Sequence, residues 1–101
     1  MDKKHFEMAF SVAEFTKTLH GQFVTEEGSY LCNDLSATHW NIYTEDGFLN
    51  ASIEIEQAPP RVIAMLSLPV LNVVFSFKDT SEEQQAKFLK RFFKYFHKGG
   101  G

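Results

Sequence analysis

The sequence predicts an α+β domain: a mainly antiparallel sheet of about five to six strands, a short helix after the first strand, and a long C-terminal amphipathic helix packed on one face. Three observations carry this expectation. Several runs alternate apolar and polar residues, the period-two signature of strands with one buried face. The dipeptide Asp46-Gly47 stands between two such runs, and Asp-Gly favours the tight turn of a β-hairpin. From residue 81 onward the apolar period becomes 3.6, as an amphipathic helix requires.

The elements follow in order. In "HFEMAFSV", Phe6, Met8, Phe10 and Val12 share one face, which predicts a first strand. Ser11 and Glu14 have the S-x-x-E spacing of a capping box. A short helix over 12–20 is expected, ending at Gly21 as its left-handed stop. "QFVTEEGSYLCN" reads as two short strands around 26–28. "HWNIYTEDGFLNASIEIEQ" predicts a hairpin. In its second arm Leu49, Ala51, Ile53 and Ile55 face one way, and Asn50, Ser52, Glu54 and Glu56 the other. Pro59-Pro60 is expected to break the sheet. Two more strands, "RVIAMLSL" and "VLNVVFSF", are expected on either side of Pro69, which donates no hydrogen bond and so belongs at a bulge, corner or edge.

The last element is a helix over 81–97. Thr80 or Ser81 caps it, and Glu82 and Glu83 occupy the first turn, where the helix dipole favours anions. At 100° per residue, Phe88, Leu89, Phe92, Phe93, Tyr95 and Phe96 cover about half the cylinder. Such a face must lie on an apolar surface, which the alternating strands provide. The order of elements is similar to that of helix-grip domains and of single repeats of TATA-binding-protein-like folds. The similarity is one of layout and not of motif, so it implies no function.

Composition bounds the function classes. The chain has 101 residues, read as a single domain over 1–101, with 44% hydrophobic residues and eleven Phe. A net charge of −3 argues against a dedicated nucleic-acid binder. The single cysteine, Cys32, admits no intramolecular disulfide, and the N-terminal residues lack a signal-peptide pattern. A cytoplasmic protein without a membrane span is expected. No cofactor or metal is expected either, because the four histidines show no i,i+4 or H-x-H pairing. Cys32, Asp34 and His39 are the only neighbours in sequence with nucleophile chemistry. Lacking any catalytic signature, they read as structural residues, and a non-enzymatic protein is expected.

Three surfaces remain as candidates. The first is the face of the late strands turned away from the helix. Both alternating sets of 61–68 contain large apolar residues, and Val70 and Val74 lie opposite the helix-facing set of the next strand. A sheet with one solvated face should be polar on that side. Ile63, Met65, Val70 and Val74 are therefore assigned to a protein interface, most simply a two-fold homodimer. An apolar small ligand between sheet and helix is the alternative. The second surface is a cationic stripe. All thirteen acids precede residue 87, while Lys87, Lys90, Arg91, Lys94 and Lys98 lie on one side of the last helix. They suit an anionic partner, although cations late in a helix also complement its dipole. The third is the terminal Gly99-Gly100-Gly101. Gly99 suits a helix stop, while Gly100 and Gly101 admit a carrier protein activated at its terminal carboxylate.

Overall fold

The computed structural model describes residues 2–96. Strand β1 (Asp2–Met8) is followed by helix α1 (Val12–Thr18), a π-helical turn (Leu19–Phe23) and helix α2 (Val24–Glu27). Strands β2 (Leu31–Ser36), β3 (His39–Tyr43), β4 (Asn50–Ile63) and β5 (Leu66–Phe77) come next, and helix α3 (Glu82–Tyr95) closes the order. The five strands form one antiparallel sheet in the order β1-β5-β4-β3-β2. The α+β class, the early helix and the C-terminal helix over one sheet face are as the sequence predicts.

Helix α1 begins with the expected capping box. The Glu14 N–H donates to Ser11 Oγ at 3.1 Å, and the Ser11 N–H donates to Glu14 Oε1 at 3.0 Å. The helix does not stop at Gly21. It passes through the π turn and ends at Gly28, whose φ of +66° is the left-handed stop. Phe15, Leu19 and Phe23 explain the continuation, because all three are fully buried in one row four residues apart. Burying Phe23 gains roughly 1.5–3 kcal/mol, more than the ~1 kcal/mol a mid-helix glycine costs. Residues 22–27, expected as a strand, are therefore helical.

The hairpin over 39–57 forms, but Asp46-Gly47 lies within a six-residue loop, 44–49, closed by the Tyr43–Asn50 rung, and not in a two-residue turn. Gly47 takes a φ of +79°, Asp46 Oδ1 accepts the Phe48 N–H at 3.1 Å, and Leu49, Ala51, Ile53 and Ile55 are buried. Pro59-Pro60 does not break the sheet. Strand β4 carries both prolines at a bulge between Ala58 and Arg61, and Pro69 of β5 lies opposite that bulge. Three residues without a donor N–H are thus gathered at one interruption of the ladder, where the fewest hydrogen bonds are lost. The expected strand over 61–68 is instead a hairpin. Ile63 pairs with Leu66 across a two-residue turn, with Ala64 at a φ of +55°.

The core lies between the sheet and the helices. Phe15, Phe23, Phe75, Phe88, Phe92 and Phe96 interlock, and the Phe92 and Phe96 rings stack at 3.9 Å. Helix α3 is capped by Ser81 Oγ, which accepts the Gln84 N–H at 3.2 Å. Phe88, Phe92 and Phe96 are buried and Leu89 is half-buried, as the 3.6 period predicts. Gln85 is buried among them. Its Nε2 donates to Asp2 Oδ2 and to the Thr80 carbonyl, both at 2.9 Å, so it ties the start of β1 to α3.

Candidate functional site

The sheet face turned away from the helices is mostly polar over the body of the sheet. Val74 pairs with His5 on one side and Glu54 on the other, Asn72 with Glu7 and Glu56, and Ser76 with Lys3 and Ser52. This corrects the expectation of an apolar second face. That expectation took 61–68 and 70–77 as neighbouring strands within the sheet. Residues 61–68 are instead the tip of the β4–β5 hairpin, while 70–77 is the body of β5 between β1 and β4, so the apolar residues of 61–68 leave the sheet with the tip.

Residues 59–68 are exposed without exception, so the hairpin leaves the packed body at the proline bulge. Its tip presents Val62, Ile63, Met65, Leu66 and Leu68, with Met65 99% exposed. From 62 to 69 the chain has no ionisable side chain. Of the residues assigned to the interface, Ile63 and Met65 lie on this tip. Val74 is half-buried on the polar sheet face. Val70 is 8% exposed. It lies on β5 where an Arg61–Glu7 ion pair crosses from β4 to β1. That pair is itself exposed and adds little stability.

A groove of about 730 Å³ opens between the segment after α2, the β3–β4 turn and α3. Tyr30, Phe48 and Phe88 line it, with Lys87 and Arg91 among its lining residues. Arg91 lies beside Tyr30 and stands 3.7 Å from Glu27. Burial pushes the Tyr30 hydroxyl above its usual range. The cationic stripe is therefore divided. Lys87 and Arg91 face the groove, whereas Lys90 and Lys94 do not line it, and Lys94 Nζ sits 5.4 Å over the Tyr95 ring. Lys98, Gly100 and Gly101 lie outside the described residues. The space between sheet and α3, where an apolar ligand was expected, is filled by the interlocked Phe rings. On this side the open groove is the concavity that a ligand could enter.

Cys32 and Asp34 point from β2 toward the helices, since their cross-strand partners Ile42 and Trp40 are buried. The histidine beside them is His20, on the π turn, and not His39. His20 Nε2 is 3.2 Å from Asp34 Oδ1, and the Cys32 thiol donates to the same oxygen at 3.7 Å. His39 points to the other sheet face, with Nε2 2.6 Å from Ser52 Oγ. Sequence proximity suggested His39. His20 lies twelve residues before Cys32 and reaches it because the helical segment turns back along the edge strand β2.

This arrangement is not that of an activated nucleophile. The carboxylate, not the imidazole, contacts the sulfur. Burial, then the charge and hydrogen bond of Asp34, push the Cys32 thiol up to about 11. Near neutral pH the thiolate is depleted roughly 100-fold relative to an unperturbed cysteine. Alkylation by iodoacetamide should accordingly be slow at pH 7.5 and faster in Asp34→Asn, measured by intact mass over time. Equal rates in parent and variant would show that Asp34 does not restrain the sulfur.

No protein-family model matches the chain, and no curated protein is similar to it. No described helix is long and apolar enough to cross a membrane.

Proposed function

We propose that this domain is a non-catalytic interaction module that self-associates through the β4–β5 hairpin. The observation that carries the reading is the exposed apolar tip from Val62 to Leu68. In a two-fold contact the residues at the symmetry axis meet their own copies, so a charge there meets its like. A tip without ionisable groups avoids that repulsion while removing apolar surface from water. Ile63 and Met65 would form its centre, whereas Val70, buried on β5, and Val74, on the polar face of the sheet body, lie outside it. A stable contact buries on the order of 1,200–2,000 Å² in total. Sedimentation equilibrium across the micromolar range tests the reading. The expected mass is twice the 11.6 kDa of the chain. A monomer at high micromolar concentration would overturn it.

A second reading rests on the groove. Exposed Phe48 and buried Phe88 supply apolar contacts, while Lys87 and Arg91 supply cations. This set suits a small ligand with an apolar ring and an anionic group. Anilinonaphthalene sulfonate is a suitable fluorescent probe. Its binding should weaken in Lys87→Ala and Arg91→Ala and stay unchanged in hairpin variants. The opposite pattern would place the probe on the hairpin.

A further inference from the structure

We propose that His20, Cys32 and Asp34 form a site for a zinc-class divalent ion, with three protein ligands and a fourth position open to solvent. The donor atoms of the three side chains all lie within 4.8 Å of one another. Their spacing can be compared with what a tetrahedral ion demands. Zinc binds thiolate sulfur at about 2.3 Å, imidazole nitrogen at about 2.0–2.1 Å and carboxylate oxygen at about 2.0–2.2 Å. Tetrahedral angles then set nitrogen and oxygen about 3.3 Å apart and sulfur and oxygen about 3.5 Å apart. The structure places His20 Nε2 at 3.2 Å and Cys32 Sγ at 3.7 Å from Asp34 Oδ1. The third pair, the His20 nitrogen and the Cys32 sulfur, lies within 4.8 Å, and closing it to the roughly 3.6 Å that one tetrahedral ion requires calls for rotation of these partly exposed side chains.

The backbone holds the three donors independently. Cys32 and Asp34 are alternate residues of β2, so their side chains leave the strand on one face. His20 comes from the π turn. Its carbonyl accepts the Thr25 hydroxyl at 2.7 Å, and Leu19 beside it is fully buried. The ion would thus bridge the helical segment to an edge strand that has no strand partner on its outer side.

The donor chemistry selects the metal. One sulfur, one imidazole and one carboxylate are a mixed, borderline-soft set. Magnesium and calcium take oxygen ligands, so they are disfavoured. Half-exposed side chains, 41% for His20 and 61% for Asp34, leave the outer position to water or to a donor from a partner molecule. Three protein ligands with an open fourth position is the arrangement of reactive rather than purely structural zinc sites. Binding replaces the thiol proton, so one proton leaves to solvent for each ion bound.

Cobalt(II) is the probe, because thiolate coordination gives a near-ultraviolet charge-transfer absorption and four-coordination gives intense visible bands. Titration of the reduced protein should show both, saturating at one ion per chain, and zinc should displace them. Cys32→Ser should lose the charge-transfer absorption. His20→Ala and Asp34→Asn should weaken binding by at least the roughly 10–100-fold that loss of an outer-shell partner costs. His39→Ala, altered on the opposite face, should leave binding unchanged. Zinc should also raise the melting temperature of the parent and not of Cys32→Ser. The replaced side chains are at least partly exposed, so circular dichroism should confirm folded variants. Absence of cobalt absorption in the folded, reduced parent would overturn the proposal. So would saturation at half an ion per chain, or an affinity unchanged in both His20→Ala and Asp34→Asn, since each marks a thiolate binding without the other two ligands.

Discussion

Phe92→Ala is expected to destabilise the domain by roughly 3–5 kcal/mol, the range for truncating a buried Phe to Ala. Phe92 is fully buried and its ring meets those of Phe15, Phe23, Phe75, Phe88, Phe93 and Phe96. Its neighbours come from α1, the π turn, β5 and α3, so no single element can shift to fill the space. Domains are stable by about 5–15 kcal/mol, so the change removes a large fraction of the total. Denaturant melts measure it through the midpoint at constant slope. A loss below about 1 kcal/mol would mean that this face of α3 is not the core.

Replacing Ile63 and Leu66 together by lysine is expected to abolish self-association and leave the monomer folded. The two residues are cross-strand partners on one face of the hairpin tip, and both are exposed in the single chain. In the monomer the added ammonium groups stay in water, and like charges opposite one another cost only about 0.2–1 kcal/mol. In a two-fold contact four such groups would be desolvated without partners. Ile63 is placed at the centre of the contact with Leu66 opposite it, and hot-spot residues there cost about 2 kcal/mol or more when truncated, so a weakening of at least roughly 100-fold is expected for the pair. Light scattering reads the mass and a thermal melt reads the fold. A variant that keeps the dimer mass would move the interface away from the hairpin.

The parts of this fold most legible in the sequence are those where local and tertiary preferences agree. Helix α3 has a serine cap, acids in its first turn and an apolar stripe with one period, and it forms within two residues of the expected bounds. The hairpin over 39–57 has Asp-Gly and strict alternation. The misread segments are those where a local signal was outweighed. Gly21 resembles a stop, but the buried row Phe15, Leu19 and Phe23 holds the helix through it. Phe23, Val24 and Thr25 favour strands on propensity alone, yet packing decides such short stretches. Pro59-Pro60 resembles a break, but a bulge absorbs two missing donors. Ala64-Met65 contains no turn residue, so this two-residue reversal left no mark in its composition. His20 was out of reach for the same kind of reason. Its place beside Cys32 depends on a helix continuing past a glycine, and proximity along the chain pointed to His39.

The strand order has a consequence for how the sheet assembles. Strands β2 to β5 form a meander in which each strand pairs with the next in sequence, while β1 pairs with β5 from the far end of the chain. The β4–β5 turn closes two residues, whereas the innermost β1–β5 rung, Met8 with Leu71, closes a loop on the order of sixty. By logarithmic scaling that difference costs about 3 kcal/mol more in closure entropy. Strand β1 therefore has no docking edge until β5 is present, and it is expected to join the sheet late. Until then β5 presents an open apolar edge. Refolding is therefore expected to be limited by this long-range pairing rather than by the hairpins, with β1 as the clasp that ends the vulnerable period.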